Sequence, residues 1–315
     1  MQRRDFLKTS LVATASASLG VGANAADSAA SVVYFTKTVS GEKALELYKR
    51  LGVTLEGKVA VKTHSGEPTG NHYLKPEFLK PLVDHVSGTI VECNTAYEGR
   101  RMRSEDHWKV IEEHGFTKVA PCDIMDEEGQ IELAIPSGKQ IKTNYVGSHL
   151  ANYDSMLVTS HFKGHMMGGF GGALKNISIG IASSYGKAYI HGAGEPEHIW
   201  DCEQDKFLEA MADASWSILA KFGKQIAFVN VMKDLSIDCD CDGHPKAPSM
   251  ADIGILASLD PVALDQACYD LVINSDDKGK DELIERMDSR HATHILEAAE
   301  ALGVGTRKYK LVEVA

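Results

Sequence analysis

The densest run of reactive side chains is Ser160-His-Phe-Lys-Gly-His-Met-Met-Gly-Gly-Phe-Gly-Gly-Ala-Leu-Lys-Asn176. His161 and His165 are four residues apart. On a helical turn they would share a face, as a metal pair or a proton donor and acceptor. Gly168, Gly169, Gly171 and Gly172 let a backbone approach a ligand closely. Their amides could form a nest for an anion, with Lys175 as a charge partner and Lys163 and Asn176 beside it. The segment has neither the GxxxxGK[ST] nor the GxGxxG spacing, so neither nucleotide-binding loop is expected. We therefore expect His161, His165 and Lys175 in a catalytic role, joined by His64. Gly168, Gly169, Gly171, Gly172, Lys163 and Asn176 are expected to bind a ligand or cofactor.

A second run is Asp238-Cys-Asp-Cys-Asp-Gly-His244. In extended chain, residues two apart point the same way, so Cys239 and Cys241 could clamp a soft metal or part of an iron–sulfur cluster. His244 could supply a third ligand. Asp238, Asp240 and Asp242 would face the other way. DxDxDG also opens a calcium loop, but the twelfth position is Ser249, where a bidentate Glu is needed. A disulfide is the other chemistry open to this pair in an oxidising compartment.

Other candidates are single residues. His64 and Glu67 follow an expected strand and could face the same cleft. Asn94, Tyr97, Arg100 and Arg101 could meet an acidic ligand. His191 could be a ligand, although a lone histidine is more often structural. Cys93, Cys122, Cys202 and Cys268 have no metal spacing among themselves.

Positioning these groups requires a scaffold. Ser31–Thr36, Lys58–Thr63 and Thr89–Cys93 read as strands. Between and after them, helices are expected over Gly41–Leu51, from Pro76 to His85, and from a Ser104 cap to His114 with Gly115 as its stop. Residues 121–147 read as short strands and turns, and Tyr153–Ser160 as a buried strand. Further expectations are a helix over 204–222, strands over 224–232 and 253–258, a helix capped by Asp260-Pro261 running to Ile273, and a last helix over 281–301. This order implies an α/β fold with a mainly parallel central sheet covered by helices and a cleft at the strand carboxyl ends. Residues 26–315 read as one α/β domain, in which two lobes could meet near residue 155.

The chain has 315 residues, 43% hydrophobic and 24% charged, with net charge −11. That composition excludes a disordered chain, a collagen-like repeat and a coiled coil. The acidic balance argues against nucleic acid or an anionic lipid surface as partner. Six cysteines are too few for a disulfide scaffold. At the N-terminus, Arg3-Arg4 with Phe6, Leu7 and Lys8 resembles a twin-arginine export signal. A small-residue cleavage site at Ala23-Asn24-Ala25 follows. The stretch between is too short and weakly apolar to stay in a bilayer. Cleavage near Ala25 would remove Arg3, Arg4 and Lys8 against Asp5, leaving a periplasmic protein near −13. Many passengers of this route carry a cofactor loaded before export, which favours a metal or cluster here.

Four groups of segments resemble the family called domain of unknown function 362, often labelled uncharacterised iron–sulfur-centre proteins. They are Val61-Lys-Thr-His-Ser-Gly-Glu67; Asn94-Thr-Ala-Tyr-Glu-Gly-Arg100; Ser160-His-Phe-Lys-Gly-His165 with Gly169-Phe-Gly-Gly-Ala-Leu-Lys-Asn176; and Cys239-Asp-Cys241 with Asp252-Ile-Gly-Ile-Leu-Ala-Ser258 and Asp260-Pro-Val-Ala-Leu-Asp265. Many members carry CxxCxxC ferredoxin insertions. Here only Cys202 stands between His191 and Phe207, so no ferredoxin module is encoded. The resemblance implies an exported metal-binding protein of redox type, using iron, zinc or an iron–sulfur cluster at Cys239, Cys241 and His244. Its cleft would take a small anionic ligand, and its partners would be the twin-arginine machinery and a redox partner. The alternatives are a metal-free periplasmic binding protein for an acidic small molecule, and a zinc-dependent hydrolase.

Overall fold

The computed structural model of the protein describes residues 30–242 and 246–315. Eight strands form one sheet: β1 (Ser31–Thr36), β2 (Val59–Lys62), β3 (Thr89–Glu92), β4 (Cys122–Ile124), β7 (Ser155–His161), β10 (Ile226–Met232), β11 (Gly254–Ser258) and β12 (Tyr309–Glu313). The remaining four make two hairpins, β5 (Gln130–Ala134) with β6 (Thr143–Gly147), and β8 (Lys163–His165) with β9 (Gly169–Gly171). The sheet order is β12-β1-β11-β10-β7-β2-β3-β4. Only β11 runs against its neighbours; every other pairing is parallel. The expected mainly parallel α/β sheet is the architecture found. Residue 155 opens β7, in the middle of that sheet.

Helices cover both faces. On one side lie α1 (Gly41–Arg50), α2 (Pro76–Val86) and α3 (Ser104–Glu113). On the other lie α4 (Ala173–Ser178), α5 (Ser184–His191), α6 (Gln204–Phe222), α7 (Pro261–Ile273), α8 (Lys280–Ser289) and α9 (His294–Ala301). Alternation along the strands divides the core. Ala60, Met156 and Val158 face the second layer, whereas Val59, Val61 and Leu157 face the first. A sheet buried on both faces needs apolar side chains in both directions, which is why β2, β7 and β10 are continuously buried.

From β2 the chain moves outward through β3 and β4, then returns to place β7 on the other flank of β2. The order reverses between β2 and β7. At such a point the loops leaving the carboxyl ends diverge and open a crevice. Lys62 ends β2 and His161 ends β7, so both sit at its floor.

Three expectations change. Ser104 is the first residue of α3 rather than its cap, because its Oγ accepts a hydrogen bond from Asn94 (2.9 Å). The single helix over 281–301 is two, α8 and α9, broken where His291 takes φ +48°. The break turns Ala292 against Gly169, where a Cβ would come within 2.4 Å of it. The short helices α4 and α5, and the edge strand β12, carry little periodicity of their own and were not foreseen.

Candidate functional site

A cavity of about 190 Å³ lies at the β2/β7 crevice. The loops after β2, β3 and β7 form its walls, with α4 and α5 behind. Trp200 and Met166, 65% and 51% exposed, stand at its mouth. Five cationic side chains line it: Lys62, Arg101, Lys163, Lys175 and Lys187.

Three of them are neutralised by buried carboxylates. Lys62 donates to Glu92 (2.8 Å) and to the Thr63 carbonyl. Burial pushes the Glu92 carboxyl up, but the Lys62 and Arg101 charges outweigh it and hold it well below the usual range. Arg101 donates through Nε and Nη2 to Glu67 (3.0 and 2.6 Å), and Tyr97 donates to the same oxygen (2.7 Å). Lys163 pairs with Asp240 (2.8 Å) and donates to the His161 carbonyl (3.0 Å). Among the described residues Lys187 donates only to the Ala182 carbonyl (2.6 Å). Lys175 Nζ has no hydrogen-bond or ion-pair partner among the described residues. Burial and the charges of Lys163 and Lys62 push Lys175 down to about 7. The cavity thus holds a surplus of positive charge in a strongly acidic protein.

The two histidines of the 160–176 segment do not share a helical face. His161 ends β7 and His165 lies in the β8–β9 hairpin. His161 is spent on structure: Nδ1 faces both Asp240 oxygens (3.0 and 2.9 Å) and Nε2 faces the Lys233 carbonyl. His165 Nδ1 accepts from the Met167 and Gly168 amides (3.2 and 2.9 Å), so the neutral ring keeps its proton on Nε2. Burial, with the Lys175 charge, holds its pKa well below the usual histidine value. His64 Nδ1 accepts from the Gly66 amide (2.9 Å), and burial lowers that histidine too. His191 Nδ1 donates to the Lys187 carbonyl (2.7 Å), which leaves Nε2 as an acceptor at the cavity. Burial pushes His191 down to about 4.

The glycines divide. Gly171 and Gly172 line the cavity. Gly168 and Gly169 do not form an anion nest with them: the Gly168 amide is committed to His165, and Gly169 takes φ +78° against Ala292. Gly172 is required because a Cβ there would meet Asp265 Oδ1 at 2.3 Å. That carboxylate accepts from the Ala173 and Leu174 amides (2.8 and 2.9 Å) and so anchors the start of α4, the helix that carries Lys175. Asn176 Nδ2 donates to the Thr159 carbonyl and to Ser160 Oγ (3.1 Å each).

Cys239 and Cys241 are joined as a disulfide. With His165 they form a group whose ligand atoms lie within 4.8 Å of one another, close enough to hold a metal ion. As it stands the group does not fit one. The metal ligand is thiolate sulfur, which the disulfide removes, and the His165 nitrogen nearest Cys241 (4.0 Å) carries the proton. His244 lies outside the described residues. The aspartates diverge, Asp238 to Arg286 (3.1 Å) and Asp240 to His161, so they make no calcium loop.

Among the weaker candidates, His64, Tyr97, Arg101 and His191 reach the cavity, and Glu67 stands behind Arg101. Arg100 turns outward to Glu113 (2.7 Å), and Asn94 bonds His107 (3.1 Å) and Ser104. Sequence reading missed Lys62, Glu92, Lys187 and the inward turn of Asp240. Lys62 and Glu92 end buried strands, and charge at the end of an apolar strand was the available signal.

No curated protein matches the chain. Among solved structures it is similar to the lactate racemase apoprotein from Thermoanaerobacterium thermosaccharolyticum, at 15% identity and TM-score 0.49 over 76% of this chain and 56% of that one. A Thermotoga maritima protein is similar at 15% identity and TM-score 0.45, over 73% and 58%. The chain therefore spans less than two thirds of either. The twin-arginine signal profile matches residues 1–20, so the protein is exported, and no described helix is long and apolar enough to cross a membrane. The profile of the family described as "Domain of unknown function (DUF362)" matches residues 59–270, a span that contains every wall of the cavity from Lys62 to Cys241, and the chain belongs to that family.

Proposed function

We propose that this protein works outside the cytoplasm, in the periplasm, by binding a small anionic ligand in the cavity at the β2/β7 crevice. The carrying observation is the pair Lys175 and Lys187, two cavity lysines without a carboxylate partner among the described residues. A buried surplus of cations is costly unless an anion completes it. The volume suits a molecule smaller than the ligands of ordinary drug-sized pockets, which run from about 300 Å³. Trp200 at the mouth reports occupancy. Titrating the mature protein with propionate and with inorganic phosphate should give saturable changes in tryptophan fluorescence and heat for one of them. Lys187→Met should weaken that binding by about tenfold to a hundredfold, the worth of one charge-assisted hydrogen bond. Absence of saturable binding to either anion would overturn the reading.

A second reading concerns the cysteines. Once reduced, Cys239 and Cys241 with His165 would be a sulfur-rich donor set of the kind that takes zinc or iron. The reading predicts stoichiometric zinc uptake by reduced protein and none by oxidised protein. Equal uptake by the two forms would count against it.

A further inference from the structure

Four lysines line the cavity, and three are engaged. Lys62, Lys163 and Lys187 each donate to a protein oxygen. Lys175 alone, among the described residues, leaves its amine uncommitted. Its helix is held rigidly by the Asp265 carboxylate, itself fixed by Asn230 (2.7 Å), so the amine is presented rather than left to wander. Lys163 Nζ and the Lys175 stem both lie within 4 Å of the open space over Gly171. A charge-binding group and a free amine therefore share one small volume.

We propose that Lys175 is an amine nucleophile that captures a 2-oxo acid, or a like carboxylate bearing a carbonyl, as an imine in this cavity. The inference rests on the anion-binding reading and names the ligand class. The carboxylate sits among the cations, which sets the neighbouring carbonyl carbon within reach of Lys175. The amine nitrogen adds its lone pair to that carbon, and the C=O π pair moves onto oxygen. The nitrogen's proton passes to the oxygen to give a carbinolamine. A proton from solvent then takes the oxygen away as water, and the C=N bond of a protonated imine remains. No electron donor or acceptor is involved. The cationic surroundings and burial that push Lys175 down to about 7 keep much of it as free amine at neutral pH, the form the addition needs.

The test is reductive trapping with a matched pair of probes. Mature protein is incubated with pyruvate and sodium cyanoborohydride, and intact mass and peptide mapping locate any adduct. We expect one adduct per chain, on Lys175, and none in Lys175→Arg, which keeps the charge but cannot form the imine. Propionate, which is pyruvate without the 2-oxo group, separates the two proposals. If propionate binds and competes while pyruvate leaves no Lys175 adduct, or adducts spread over surface lysines at equal rates, the imine proposal is overturned and the anion cavity stands. If neither acid binds but inorganic phosphate does, the imine proposal is overturned and the anion cavity stands; if none of the three binds, the cavity reading fails. Parent-like far-ultraviolet circular dichroism and a cooperative urea transition show that Lys175→Arg is folded.

Discussion

At the scale of single residues, the site is built from neutralised pairs around two exceptions. Lys62 with Glu92, Arg101 with Glu67, and Lys163 with Asp240 each place a buried charge beside its counter-charge. Among the described residues Lys175 and Lys187 have no such partner, and Lys175 has no hydrogen-bond acceptor either. Gly171 offers a clean probe of the space beside it. Its backbone is not in the left-handed region, and a Cβ would meet its nearest neighbours, Lys175 Cδ and Lys163 Nζ, at 3.5 and 3.9 Å, ordinary contact distances. Gly171→Ala should therefore weaken anion binding several-fold by filling the cavity. Its folding stability should hold or rise by about 0.5 kcal/mol, as expected when alanine fits the backbone of a glycine. Calorimetric titration and urea unfolding check the two halves. Residue types alone pointed to Lys175, His64 and Arg101, because loops after parallel strands gather at one edge. They could not separate His161 from His165. That difference lies in which groups reach each ring: a carboxylate and a carbonyl at the two nitrogens of His161, amide donors at one nitrogen of His165.

At the scale of elements, position depends on contacts far apart in sequence. Asp265, on α7, starts α4 from 92 residues away. The hairpin of β8 and β9 replaces the helical turn that a spacing of four suggested, because Gly164 packs against Ile237, where even a Cβ would meet the carbonyl at 2.3 Å. The Cys239–Cys241 bridge closes only a three-residue span. So small a loop constrains the unfolded chain little, and chain-entropy reasoning assigns it about 1.5 kcal/mol. The double variant Cys239→Ser, Cys241→Ser should fold with about that loss in urea. In the reduced state it should also fail to take up zinc where the parent does. A loss near 4 kcal/mol would show that the bridge holds more of the cavity wall than its own turn.

At the scale of the whole molecule, burial of titratable groups ties stability to pH. His64 and His165 are held well below the usual histidine pKa by burial; burial likewise brings His107 to about 3 and His191 to about 4. Between those values and about 6.5 the unfolded chain binds protons that the folded one refuses. The histidine share of the stability should thus be full above about pH 6.5 and fall as pH drops, by about 1.4 kcal/mol per unit for each net proton, while Lys175, pushed down to about 7, adds a decline in the same direction from higher pH. Asp265, pushed up to about 6 by burial, opposes this with one proton, because its folded form takes up a proton before the unfolded form does. His149, raised by its bond to Asp123, also opposes: its contribution is present at low pH and fades as pH rises through its folded pKa. Below about pH 4, loss of the Glu92 and Asp240 carboxylates extends the decline, since both are held well below their ordinary values. Thermal unfolding from pH 8 to pH 4 reads the sum. A melting temperature that rises on acidification would contradict it.

The sequence by itself determined the export signal, the order of most strands and helices, the parallel sheet and the family. These rest on local properties: charge next to an apolar run, the two periodicities of side-chain direction, and short motifs. Tertiary structure decided the rest. It chose which charges face each other across the β2/β7 crevice, paired the two cysteines, split the last long helix at His291, and left one cavity lysine, Lys175, without a partner among the described residues. Those outcomes depend on which atoms meet across distant segments of chain in a medium that screens charge poorly, and spacing along the sequence does not encode that.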